Sequence, residues 1–203
     1  MTNLNENTTT AANQQKAIEK AARAKNPLES LPESFKYSNP NGDYTLYCKT
    51  KADMDSKILK WAFKLAEKNV GPFYKESKMG WQPKIKQNDL NKNWARYLVA
   101  LDKSKNPVAY AMFRFDLDYG NAVLYCYEMQ IEKSSQRQGL GKFMMTALEN
   151  CAKHWDMEKV VLTVLKNNPI AAEFFRKIGF ALDETSPDVL EKAEYEILSK
   201  QIR

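Results

Sequence analysis

Apolar and polar positions alternate in short runs through the middle of the chain, and at several places this period of two gives way to the spacing of a helix face. Tyr44-Thr45-Leu46-Tyr47-Cys48-Lys49 reads as a first strand. Ile58, Trp61, Ala62, Leu65 and Ala66 then recur on one face of a helix between Asp55 and Asn69. Gly71-Pro72 predicts the end of that helix and the start of a loop holding Tyr74, Met79 and Trp81. Strands are predicted over 96–101, 108–115 and 123–131, with turn-rich segments at 102–107 and 117–121 between them. A second amphipathic helix carries Leu140, Phe143, Met144, Ala147, Leu148, Cys151 and Ala152 on one face. Residues 159–164 form a short β-branched strand. In a third helix Asn168 suits the N-cap, Pro169 the first helical position and Gly179 the C′ position. A last strand is expected over 195–198.

The first residues lack this order. Residues 1–14 are rich in Thr, Asn and Gln and predict no folded structure. Alanine and lysine over 15–25 favour a helical arm, which Asn26-Pro27 stops. The chain therefore divides into a flexible segment with a basic helical arm, residues 1–25, and a folded domain over residues 26–203. Antiparallel strands followed by helix, strand, helix, strand give an α/β fold. Its central sheet is mixed, mostly antiparallel and flanked by helices.

A chain of 203 residues buries one good core, and 28% charged with 43% apolar residues is ordinary for a globular protein. No apolar run is long enough for a transmembrane helix, and the first residues lack the pattern of a signal peptide, so no membrane partner is expected. Cys48, Cys126 and Cys151 are odd in number with no C-x-x-C pair, which fits a reducing compartment and argues against a disulfide framework or a zinc site. The net charge of +6 is scattered and does not mark a nucleic-acid groove. Residues 183–196 run against it, with Asp183, Glu184, Asp188, Glu191, Glu194 and Glu196 opposed only by Lys192. Such a stretch is either a solvated acidic loop or a wall facing a cationic substrate.

Candidate chemistry concentrates in Gln136-Arg137-Gln138-Gly139-Leu140-Gly141-Lys142, which follows a strand and opens a helix. Glycines there let backbone N–H groups close on an anion at a helix N-terminus. The spacing is neither a Walker loop nor G-x-G-x-x-G. It resembles the Q/R-x-x-G-x-G/A loop with which GNAT acetyltransferases hold the pyrophosphate of coenzyme A. Asn167-Asn168-Pro169-Ile170-Ala171-Ala172-Glu173-Phe174-Phe175 running on to Gly179-Phe180 is similar to a second block of that family, and the resemblance covers residues 44–198. It implies a GNAT fold and acetyl-CoA as acetyl donor, without a metal. Met129, Gln130 and Ile131 would meet the pantetheine arm. Gln136, Arg137, Gln138, Gly139, Leu140, Gly141 and Lys142 would line the pyrophosphate, and Asn168 with Phe174 would border the thiol end.

A narrower resemblance lies in Phe113-Arg114-Phe115-Asp116, Leu124-Tyr125-Cys126-Tyr127-Glu128 and Tyr195-Glu196-Ile197-Leu198-Ser199, with Trp81, Thr163 and Pro27-Leu28-Glu29. These are similar to the NatD-type N-terminal acetyltransferases, which acetylate the α-amino group of histone H4 and histone 2A, chains beginning Ser-Gly-Arg-Gly. The resemblance implies a cytoplasmic and nuclear monomer whose partners are those histone N-termini, with the basic arm as a ribosome contact. A GNAT enzyme for lysine side chains or small amines, or a non-catalytic coenzyme A-binding adaptor, are the alternatives.

Acetyl transfer to an amine needs the neutral nucleophile. An α-amino group, with an ordinary pKa of about 7.7–8.0 against about 10.4 for lysine, supplies it with a modest base. His154, the only histidine, lies late in a predicted helix, so the base is expected to be Glu128. On strict alternation Glu128 shares a face with Leu124 and Cys126, where loss of water favours proton uptake. Tyr125 and Tyr127 then point the other way unless a bulge intervenes; by resemblance they line the peptide site and the acetyl group, with Tyr127 catalytic. Asp116 and Asp118, two apart, would together pair with an arginine at the third substrate position. By resemblance Thr163, Tyr195, Tyr74 and Met79 contact the peptide. Two positions depart from the families: Phe175 replaces a tyrosine that often protonates the leaving thiolate, and Met79 stands where NatD relatives tend to carry tryptophan.

Overall fold

The computed structural model describes residues 2–188 and 190–202. An eight-stranded sheet runs in the order β1-β2-β3-β4-β5-β6-β8-β7. Its strands are β1 (Lys36–Asn39), β2 (Gly42–Thr50), β3 (Arg96–Leu101), β4 (Pro107–Asp118), β5 (Asn121–Ile131), β6 (Lys159–Leu165), β7 (Ala181–Leu182) and β8 (Tyr195–Gln201). Among the described residues β5 and β6 are the parallel pair, and the other pairs are antiparallel. Helices α1 (Thr2–Arg23), α4 (Leu140–His154) and α5 (Pro169–Lys177) cover one face, where Phe113, Leu124, Met144 and Leu148 form the main core. Helices α2 (Ser56–Glu76) and α3 (Pro83–Leu90) cover the other, over Tyr97, Val99, Tyr110 and Met112. The predicted α/β fold, a mixed, mostly antiparallel sheet flanked by helices, is the observed one.

Three local expectations are corrected. The first segment is helical from Thr2, and its last two turns are packed rather than free, with Ile18 and Ala21 buried. Arg96 holds that end by donating to the carbonyls of Ala22 and Ala24, the group a helix C-terminus favours. Helix α2 runs through Gly71-Pro72 to Glu76, so Tyr74 is helical. Pro72 forfeits one helical hydrogen bond, but the last turn is tied down from outside, where Asn167 Nδ2 donates to the Phe73 carbonyl at 2.9 Å and Trp81 packs beside Gly71. Finally, the sheet gains β1 and β7 and the α2 face gains α3, three short elements that the residue pattern does not predict. Of these, β1 and α3 line the site described next.

Candidate active site

The register between β4 and β5 decides what the site contains. Met112 faces Glu128 and Phe113 faces Cys126, so Tyr127 is an extra, unpaired residue in β5. A bulge of this kind re-aims the residues beyond it. Residues opposite one another in a sheet share a face, so Glu128 lies with Met112 on the α2–α3 side, not with Leu124 and Cys126 as strict alternation predicts. Tyr125, opposite Arg114, is on that same side. The bulge therefore brings Tyr125 and Glu128 to one face.

Glu128 is withdrawn from water, with its side chain 9% exposed, but its neighbours are not apolar. Lys86 Nζ of α3 lies 2.6 Å from Glu128 Oε2, and Gln130 Nε2 donates to Oε1 at 2.5 Å. Asn69 of α2 fixes Gln130 by donating to its Oε1 at 3.0 Å. Lys86 also lies 5.3 Å above the Tyr74 ring. Burial works against the charge on Lys86, but Glu128 and Tyr74 more than offset it, so its pKa is raised and it stays an ammonium. Burial pushes the phenol of Tyr74 up, against the opposing pull of Lys86. Helix α3 aims Lys86 inward through the spacing that buries Leu90, four residues on.

The same face carries an aromatic patch. Tyr125 Oη and Thr163 Oγ1 are 2.7 Å apart, and the Tyr125 and Tyr127 rings are 4.4 Å apart. Burial raises the Tyr125 phenol to about 12 despite its bond to Thr163, with Asp118 and Tyr195 adding to the shift. Burial also raises Tyr127, against Arg114. Both phenols are therefore donors near neutrality, not bases. Tyr127 is 40% exposed and packs on Trp94, with the Arg114 guanidinium against both rings. Asp116, expected to share capture of a substrate guanidinium, is instead ion-paired with Arg114. Asp118 has no ion pair among the described residues, which leaves it as the open carboxylate at the end of β4.

Loops close over this patch from two sides. Lys78 N in the α2–α3 connection donates to Glu194 Oε2 at 2.6 Å, and Lys166 N donates to the Glu194 carbonyl. The acidic stretch before β8 is thus joined to the segment carrying Met79, which is 42% exposed, and Tyr195 enters at the join. Trp81 packs against Phe63 and Tyr74 as part of the fold. His154 is at the far end of α4, beside Ser30 Oγ at 3.2 Å.

On the opposite side of β5 the strands separate. The β5–β6 ladder ends at Cys126 and Leu162, while β6 continues with β8 to Leu165, so the backbone at Met129 and Gln130 flanks a wedge between them. The Ile131 carbonyl is already taken by Asn69 and Gln136 side chains. At the mouth of the wedge α4 begins without a side-chain cap, leaving its first N–H groups to an anion. Arg137 (φ 59°) and Gly139 (φ 81°) both adopt the left-handed conformation, which turns this loop around the helix start. Gln138 is spent on the loop itself: its carbonyl accepts from Tyr37 and Asn39, its Oε1 from Tyr44, and its Nε2 donates to Ser134. A Cβ at Gly141 would lie 3.0 Å from Ile131 Cδ1 and 3.2 Å from Phe174 Cζ, so a side chain there would crowd the floor of the wedge. Asn168 caps α5 by accepting from Ala171 N at 3.2 Å. Phe175 is core, packed on Phe174 and Phe180.

Sequence reasoning missed Lys86, Arg114, Trp94 and Tyr37 as parts of this region. The one available signal was Lys86 four residues before Leu90 in a segment too short and polar to read as a helix.

A family model described as the acetyltransferase (GNAT) family matches residues 59–180. Among solved structures, an acetyltransferase of the GNAT family from Staphylococcus aureus superposes with a TM-score of 0.60 at 12% identity, covering 78% of this chain and 100% of that one. Tetrahymena GCN5 gives 0.56 at 13% identity over 72% and 88% of the two chains. The ribosomal-protein-S18-alanine N-acetyltransferase of Escherichia coli gives 0.54 at 15% identity over 78% and 94%. At these identities the structures show the shared fold.

Proposed function

The chain belongs to the GNAT acetyltransferase family, whose members transfer acyl groups from acetyl-CoA, and we propose that it acetylates the α-amino group of proteins beginning Ser-Gly-Arg-Gly, as NatD-type enzymes do for histone H4 and histone 2A. The observation that carries this reading is the bulge at Tyr127. It turns a buried carboxylate onto the face that holds the Tyr125–Thr163 pair, where β5 and β6 part.

The uncapped start of α4 and the space kept by Gly141 suit a pyrophosphate, and the strand backbone along the wedge suits an amide-bearing arm. The residues that would hold coenzyme A are Met129, Gln130 and the 136–142 loop, with Phe174 at the inner end. Acetyl-CoA would supply the acetyl group as a thioester: the amine's attack on its carbonyl forms the amide C–N bond as the C–S bond breaks and coenzyme A leaves as a thiolate.

On the acceptor side the Tyr125 and Tyr127 phenols stay protonated and donate hydrogen bonds to the peptide. Glu128 receives the proton lost by the amine, through a water where the amine does not reach it. An α-amine asks little of that base, because about a fifth to a third of it is neutral near pH ~7.4. The Lys78–Glu194 closure supports an acceptor that enters by its chain start rather than one threading through from mid-chain. Asp118 is the group for a guanidinium at the third substrate residue, and Tyr195 covers the bound end.

The test is thiol release from acetyl-CoA with peptides beginning Ser-Gly-Arg, Ser-Gly-Ala, Met-Leu and acetyl-Ser-Gly-Arg. Ser-Gly-Arg should be turned over fastest and the blocked peptide not at all. Glu128→Gln should lower kcat by about 100-fold or more, with a smaller change in peptide KM. Equal turnover in that variant would remove Glu128 from the mechanism.

A further inference from the structure

We propose that Lys86 is a positioning residue for this site: its ammonium fixes the Glu128 carboxylate in one orientation, so that the carboxylate faces the acceptor amine whose proton it takes. The inference rests on the reading of Glu128 as the base and goes beyond it by assigning a role to α3.

Both oxygens of Glu128 are engaged by the chain itself, Oε2 by Lys86 Nζ at 2.6 Å and Oε1 by Gln130 Nε2 at 2.5 Å. The two donors differ in how firmly they are anchored. Gln130 belongs to the same strand as Glu128 and is braced by Asn69. Lys86 comes from a separate two-turn helix, held to the sheet by Leu90, whose carbonyl accepts from Tyr97 Oη at 2.5 Å. The Lys86 side chain is 16% exposed and the Glu128 side chain 9%, so neither charge is solvated well enough to stand alone. Without Lys86 the carboxylate would lose the donor that fixes Oε2 and be free to turn toward water, away from the face of Tyr125. A cation beside the acceptor amine also favours that amine's neutral, nucleophilic form. A lysine that served only to pin α3 to the sheet would do none of this.

A double-mutant cycle separates the two roles. Wild type, Lys86→Met, Glu128→Gln and the double variant are assayed for kcat and KM with acetyl-CoA and the Ser-Gly-Arg-Gly peptide, with thermal unfolding as a check on folding. If Lys86 works through Glu128, Lys86→Met lowers kcat about 10- to 100-fold in the wild-type background, a loss no larger than the smallest typical acid–base contribution because the base itself is retained. It then lowers kcat less than about threefold once Glu128 is glutamine. The KM for acetyl-CoA stays within about twofold, because the wedge and the 136–142 loop are untouched. Should Lys86→Met fail to fold, Lys86→Gln carries the same comparison. An equal loss in both backgrounds overturns the proposal in favour of a purely structural lysine, and so does no loss in either. If Glu128→Gln alone retains full turnover, the base assignment itself fails, a result distinct from failure of the Lys86 role. Absence of turnover with every peptide overturns both.

Discussion

Replacing Gly139 with alanine tests how the loop that opens α4 is held. Gly139 is left-handed at φ 81°, and a Cβ there would collide with Tyr37 Oη. The first cost is the left-handed conformation, about 1 kcal/mol for an alanine. The second comes from moving Tyr37, whose hydroxyl donates to the Gln138 carbonyl at 2.8 Å and whose ring stacks on Phe143 at 4.8 Å. The carbonyl keeps Asn39 as a donor, so the loss there is one hydrogen bond rather than an orphaned acceptor, about 1 kcal/mol, with a few tenths more from the ring. Together Gly139→Ala should cost about 2–3 kcal/mol, which for a chain of this size lowers Tm by about 5–10 °C. In a Tyr37→Phe background the obstructing oxygen is gone and only the conformational part, about 1 kcal/mol, should remain. Urea unfolding of the four proteins measures both numbers. An equal cost of Gly139→Ala with and without the Tyr37 hydroxyl would refute the collision, and no cost in either would refute the backbone assignment as well.

Two further outcomes follow from the site and its frame. Lys159 and Asp183 form an ion pair at 2.6 Å with side chains 2% and 1% exposed. Burial opposes ionisation of Asp183, but hydrogen bonds from Lys159, Ser199 and Thr185 more than offset it, holding its carboxyl well below the usual carboxylate range. A carboxyl depressed in the folded state gives stability that is complete above the unfolded value of about 3.9 and is lost as the pH falls toward the folded one. Thermal unfolding from pH 7 to 3 should therefore show a loss below pH ~4 that Asp183→Asn removes, while Asp183→Asn itself costs about 3 kcal/mol at pH 7, because buried Lys159 keeps only the exposed Glu184, at 3.7 Å, as a carboxylate partner; an unchanged acid limb would contradict the assignment. Because Arg114 already neutralises Asp116, Asp118→Asn should raise the KM for a Ser-Gly-Arg-Gly peptide about tenfold, the loss of one charge-assisted bond. Asp116→Asn should act mainly by releasing Arg114 from the Trp94–Tyr127 stack, with equal effect on Ser-Gly-Ala peptides. A larger effect of Asp116→Asn on arginine preference would reverse the two roles.

Features set by a residue and its near neighbours were legible in the sequence. The glycine loop opening α4, the Asn168-Pro169 start of α5 and its Gly179 stop all depend on local backbone chemistry, and each is where its residues require. Features set by a distant partner were not legible. Whether a helix crosses Gly71-Pro72 depends on Asn167 and Trp81 holding its last turn. Whether Lys86 counts as a surface charge depends on α3 docking over Glu128, and Asp116 looked available only because Arg114, two residues earlier, reads as another strand residue.

The orientation of Glu128 shows why such a feature escapes a single strand's pattern. Alternation along β5 alone places Glu128 beside Leu124 and Cys126, against the side chains of Phe113, Met144 and Leu148. An unpaired carboxylate there would cost several kcal/mol, and the residues that α4 buries on that face carry no charge. The charge must therefore either leave the core face or acquire a partner, and one extra residue at Tyr127 achieves the first while Lys86 provides the second. Strand β4 shows no matching irregularity in sequence, since the bulge lies wholly in β5 and its position is fixed by which β4 residue faces Cys126. A buried acid that breaks the apolar face of a strand is thus itself a sign that the pairing register shifts beside it, and here the shift is what puts the acid on the face that carries Tyr125 and Thr163.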